Sequence, residues 1–106
     1  MAALNINKEQ LDALLAGDKP VLVDYWAPWC GYCRRIGPAY DKAAAQFDGE
    51  VALVKINIDE EPELAKGEQI EVIPTLVLYQ NGEAIASIVA PESKAAIEEF
   101  INENLG

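Results

Sequence analysis

The chain has 106 residues, and 51% of them are hydrophobic, enough for one compact domain (1–106) with a real core. Its 18 acidic against 8 basic residues give a net charge of −10, which argues against nucleic acid and anionic membranes, both of which are bound through Lys and Arg. No apolar run reaches the roughly 20 residues of a membrane span, and Met1–Asn5 carries no basic region leading into an apolar stretch, so a cytoplasmic protein is expected.

Asn7-Lys8-Glu9-Gln10 reads as a capping box, with Ile6 and Leu11 as the hydrophobic staple. Leu11, Leu14 and Leu15 supply one apolar stripe, and Gly17 is the expected stop. Val21 to Trp26 is a nearly continuous apolar run, the pattern of a strand buried on both faces. A helical pattern follows Cys33, with Ile36, Tyr40, Ala44 and Phe47 on its apolar face, Asp48-Gly49 as its end and a kink expected at Pro38.

Val51 to Ile58 alternates and is rich in β-branched residues, which predicts a second strand, parallel to the first across the intervening helix. A short helix is expected from Asp59 to Lys66, closed by Gly67. Its acidic start, Asp59-Glu60-Glu61-Pro62-Glu63, reads as a solvated first turn rather than a metal site. Thr75 to Gln80 and Ala84 to Val89 form a hairpin around Asn81-Gly82. Ser93 caps a last helix that buries Ile97, Phe100, Ile101 and Leu105. The order (β)αβαβαββα predicts an α/β domain of three layers, a central mixed sheet flanked by helices.

Chemistry concentrates at Cys30-Gly31-Tyr32-Cys33, which opens a helix directly after a buried strand. The thiolate is the reactive form of cysteine. A helix N-terminus, with its unpaired N–H groups and partial positive charge, favours that form. Two intervening residues bring the second sulfur within reach of the first. Cys30, at the exposed end, is placed to attack a disulfide, and Cys33, one turn inward, to resolve the mixed disulfide.

The competing readings of the pair are weaker. A zinc site needs four ligands, and the chain has no histidine and no third cysteine. A structural disulfide across so short a loop gains little entropy. Asp24 lies among Val21, Leu22, Val23, Tyr25 and Trp26, so a buried carboxyl with a raised pKa is expected beside the thiols. The plainer alternatives are a strand-end Asp24 facing water, a Lys55 reaching into solvent, a Trp26 that is simple core and a Tyr32 that is only a spacer.

Trp29-Cys30-Gly31-Tyr32-Cys33 after an apolar strand resembles the active site of the thioredoxin family. The resemblance continues through Asp24, Trp26, Ala27-Pro28, Pro38, Lys55-Ile56-Asn57-Ile58-Asp59, Val72-Ile73-Pro74-Thr75 and Asn81-Gly82-Glu83. It implies the thioredoxin fold and a protein-disulfide reductase in which Cys30 attacks and Cys33 resolves. It further implies a cis Pro74 that presents the Ile73 backbone to a client peptide, and an Asp24 that assists Cys33 with Lys55 nearby. Trp29, Gly31, Tyr32, Ile73, Pro74 and Ala90 would contact the client.

Two cysteines exchange electrons covalently, so no bound cofactor is expected, and the ligand count leaves no metal; the resemblance implies electrons drawn from NADPH through a flavin-dependent thioredoxin reductase. The partners would be that reductase and client proteins bearing disulfides; a monomer is expected because every strongly periodic element has its apolar face accounted for in one core.

Two positions depart from the family. Tyr32 stands where proline is usual, freeing the backbone and adding an N–H donor at the helix start. A better stabilised thiolate favours the dithiol and makes the couple more oxidising; about 30 mV corresponds to a tenfold change in equilibrium constant. The alternatives this opens are an isomerase- or oxidase-like variant, or a non-enzymatic interaction module on the same fold. Val89-Ala90-Pro91 replaces a usual glycine after the valine, adding a methyl group and losing an N–H in the client-contact loop.

Overall fold

A computed structural model describes residues 3–105. The elements run β1 (Leu4–Asn5), α1 (Lys8–Leu15), β2 (Val21–Trp26), α2 (Gly31–Gln46), β3 (Ala52–Asn57), α3 (Pro62–Gly67), β4 (Thr75–Gln80), β5 (Glu83–Val89) and α4 (Lys94–Leu105). The sheet order is β1-β3-β2-β4-β5. β1, β3 and β2 are parallel, while β4 runs antiparallel to β2 and β5 antiparallel to β4. This is the expected mixed sheet, with β2 and its apolar run at the centre.

Strand alternation sorts the core into two layers. On one face Leu22, Leu53, Leu76 and Leu78 pack with Ile36, Tyr40, Ala43 and Phe47 of α2 and Ile97, Phe100 and Ile101 of α4. On the other, Val21, Val23, Tyr25, Val54, Ile56, Val77 and Tyr79 meet Leu11 of α1 and partly buried Leu64 of α3. Leu105 and Ala44 are only partly buried, with Ala43 taking the fully buried place on α2.

Local chemistry explains most boundaries. Asn7 and Gln10 exchange both capping-box bonds, each 2.9 Å. Ser93 accepts the Ala96 N–H at 3.1 Å, capping α4. Asn81 (φ 55°) and Gly82 (φ 82°) both adopt the left-handed backbone that a tight hairpin with the sheet's own twist requires. α2 runs through Pro38 as one helix.

The α3 region differs from expectation at both ends. The helix begins at Pro62, because proline suits the first helical position and disfavours helical backbone in the residue before it. Asp59, Glu60 and Glu61 instead form a turn whose N–H groups bond the side chain and carbonyl of Asn57. At the other end the left-handed residue is Gln69 (φ 59°), two positions past Gly67.

Tyr40 ties α2 to the sheet. Its hydroxyl, buried with the ring, lies 3.0 Å from the Leu22 carbonyl and 2.8 Å from that of Val54, its one proton shared between the strands on either side of the β2–β3 seam. Tyr40→Phe is expected to lower the unfolding free energy by about 1–2 kcal/mol, with the secondary structure unchanged, as read by denaturant unfolding and circular dichroism.

Candidate functional site

The cysteine pair sits where β2 hands over to α2. Ala27 is fully buried and its carbonyl accepts the Cys30 N–H at 3.1 Å, a turn that fixes Cys30 as the N-cap of α2. Both cysteines are free thiols. Cys30 is partly exposed, whereas Cys33 is 3% exposed.

The Cys30 sulfur accepts the Cys33 N–H at 3.1 Å, which makes it the capping group of its own helix. The additional donor expected from Tyr32 is not used this way. The Cys33 N–H is the backbone donor on that sulfur among the described residues. Burial pushes the Cys33 thiol up to about 12, with the adjoining Cys30 sulfur adding to the effect.

Asp24 lies on the same face of β2 as Leu22, the face that α2 covers. It is 1% exposed, and neither carboxyl oxygen has a hydrogen-bond partner among the described residues. Burial raises its pKa to about 7, with Lys55 opposing and Asp41 reinforcing the shift. The Asp24 charge in turn contributes to the rise at Cys33. Lys55 is the β3 register partner of Asp24, but its ammonium lies over the Trp26 ring, 4.6 Å from the centroid. No ion pair between Lys55 and Asp24 forms among the described residues. Trp26 is half-buried rather than core, and its Nε1 donates to Asn5 Oδ1 at 2.7 Å.

The remaining site residues form a rim around Cys30. Gly31 is exposed at the start of α2. Trp29 is 67% exposed and held by Asp59, whose Oδ2 accepts Nε1 at 3.0 Å. The Ile73–Pro74 peptide is cis, and the Ile73 carbonyl lies 4.0 Å from the Cys30 sulfur. Ala90 has a left-handed backbone (φ 47°) and its N–H donates to the Pro74 carbonyl at 2.9 Å. Tyr32 donates its hydroxyl to the Pro91 carbonyl at 2.7 Å.

Sequence reasoning missed part of this rim. Val72 (54% exposed) and Val89 (52%) flank the Pro74 and Ala90 segments and enlarge its apolar surface. Val72 carried a signal, its place in the Val72-Ile73-Pro74-Thr75 run. The Asp59 contact to Trp29 spans 30 residues and had none.

The Asp24 environment sets a pH dependence. Between the ordinary carboxyl value of 3.8 and the folded value of about 7, the folded chain keeps a proton that the unfolded chain has released. Stability therefore falls as pH rises through that window, and the full cost is present above it. Asp24→Asn cannot ionise. It is expected to exceed the parent in unfolding free energy above pH 7 by roughly 2–4 kcal/mol, a gap that closes towards pH 4 in pH-resolved denaturant unfolding.

Comparison with known proteins agrees with this geometry. The sequence profile of the thioredoxin family matches residues 2–103. Thioredoxin 1 of Nostoc sp. is 39% identical over 92 residues, covering 87% of this chain and 86% of that protein. The thioredoxin of Haemophilus influenzae is 37% identical over 103 residues, covering 96% of each. The solved structure of a mutant thioredoxin from Halobacterium salinarum superposes with a TM-score of 0.86 at 30% identity, covering 98% of this chain and 90% of that one. No helix among the described residues is long and apolar enough to cross a membrane, and no cluster of three or more His, Cys, Asp or Glu in them could hold a metal ion. With two free thiols at one helix start, on a fold shared along nearly its whole length, this chain belongs to the thioredoxin family and is a dithiol–disulfide oxidoreductase.

Proposed function

We propose that the dithiol form reduces disulfides in client proteins, with Cys30 as the attacking and Cys33 as the resolving cysteine. The observation that carries this assignment is the asymmetry between an accessible Cys30, capped by the Cys33 N–H, and a buried Cys33. The Cys30 thiolate attacks one sulfur of the client disulfide and expels the other as a thiolate. Cys33 then passes its proton to Asp24 and attacks the Cys30 sulfur. The second client thiolate leaves, two electrons have moved to the client, and the protein holds the Cys30–Cys33 disulfide.

Asp24 suits the proton-acceptor role because its oxygens are buried and unengaged, and because a value of about 7 leaves a substantial fraction ionised near neutral pH. Lys55 acts on Asp24 through its charge rather than by contact. Trp29, Gly31, Tyr32, Ile73, Pro74 and Ala90 receive the client segment, with Val72 and Val89 extending the apolar surface. The plain thioredoxins among the relatives favour this reductase reading over an isomerase or a scaffold.

The oxidised protein would be restored with NADPH-derived electrons by a flavin-dependent thioredoxin reductase. We place the reaction in the cytoplasm, carried out by a monomer.

Cys33→Ser is expected to accumulate mixed disulfides through Cys30, visible on non-reducing gels of the protein incubated with oxidised insulin, and Cys30→Ser to accumulate none. Adducts forming equally through Cys33 would reverse the assignment. Asp24→Asn is expected to slow release of the mixed disulfide at least about tenfold at pH 7 in rapid-quench kinetics, the deficit narrowing as pH rises towards the Cys33 value. Release at the parent's rate would remove Asp24 from the mechanism.

A further inference from the structure

Tyr32 and the Val89–Pro91 loop touch each other. Tyr32, between the cysteines, donates its hydroxyl to the carbonyl of Pro91, 59 residues away, at 2.7 Å. The ring itself is half-buried against the core layer under α2 and α4, so the hydroxyl is delivered by a side chain with little freedom. Its target is a loop already held nearby. Val89 pairs with Thr75, the Ala90 N–H bonds the Pro74 carbonyl at 2.9 Å, and Pro91 is buried. Ala90 adopts φ 47°, a conformation costly for any residue with a Cβ. Such backbone persists only where its surroundings hold it. Tyr32 supplies one of those restraints, and it does so from the helix that carries the thiols.

We propose that the Tyr32 hydroxyl is a strap that fixes the Val89–Pro91 loop and so pre-organises the rim for protein clients. This deepens the proposed function and rests on its placement of the client at that rim. A client peptide lying along Trp29, Val72 and Val89 meets an edge whose backbone is already ordered, and binding need not supply the ordering. A small disulfide that reaches only the Cys30 sulfur draws no benefit. Tyr32 is thus a positioning residue, favouring protein disulfides over small ones through affinity rather than through sulfur chemistry.

The test is Tyr32→Phe, which keeps the ring and removes only the donor. Activities are compared on insulin and on the small aromatic disulfide dithiobis(nitrobenzoate). The ratio of kcat/KM for insulin to that for the small disulfide is expected to fall about three- to tenfold, the effect of one lost hydrogen bond, and to be carried by KM. Amide exchange at Ala90 should quicken in the same variant. Ala90→Gly, which removes the Cβ cost of the φ 47° backbone, makes the loop less dependent on the strap, so the loss caused by Tyr32→Phe should be smaller in the Ala90→Gly background than in the parent. An unchanged ratio, fully additive effects, or a drop confined to kcat together with a shifted reduction potential would each overturn the strap. Cys30→Ser separates this from the underlying reading: activity surviving on both substrates would refute the placement of the site, whereas a dead Cys30→Ser beside an unaltered Tyr32→Phe ratio would refute the strap alone.

Discussion

A carboxyl group buried without a partner organises this molecule. Asp24 occupies the central strand of the sheet, beneath the helix that carries both cysteines, at 1% exposure and with neither oxygen bonded among the described residues. Packing a hydrophobic residue there would be the stable choice, and the raised pKa measures what the fold gives up by keeping an acid. In the proposed mechanism the return lies at Cys33. Burial holds the Cys33 thiol protonated, and a thiol in that state cannot resolve a mixed disulfide until something accepts its proton. The two perturbations have a single origin, burial in the layer between β2 and α2.

The surrounding architecture serves that layer. Tyr40 closes α2 onto both strands of the β2–β3 seam, and the leucines on the covered face exclude water from it. The helix start then faces outward, so the sulfur that caps it is the more accessible of the two. Burial therefore grades the site over a single helical turn, from a partly exposed Cys30 to a buried Cys33.

Much of this was legible in the chain because the signals are local. The β2 run, the Asn7 and Ser93 caps, the Asn81-Gly82 hairpin and the cysteine spacing each state their structure within a few residues. The buried Asp24 was readable for the same reason, as one acid in an apolar strand. What escaped was set across long separations or by competing local rules. Proline at position 62 overrode an acidic helix start beginning at Asp59, and the chain turned left-handed at Gln69 rather than at the nearby glycine. Lys55 was expected near Asp24, and register does pair them, yet its ammonium settles on the Trp26 ring because the carboxyl lies buried below. Tyr32 and Ala90-Pro91 read as two separate departures; only the fold brings them into one hydrogen bond.

The central claim is that burial divides the labour of the two cysteines, and reactivity reports on this most directly. The fully reduced protein would be treated with iodoacetamide at pH 7 under native conditions, quenched at intervals and mapped by mass spectrometry for the fraction of each cysteine alkylated. The account predicts that Cys30 is modified while Cys33 stays protected, its labelling slower by about a hundredfold or more and released by denaturant, since the reactive species is an accessible thiolate. Cys33 labelled as fast as Cys30 in the folded protein would contradict it.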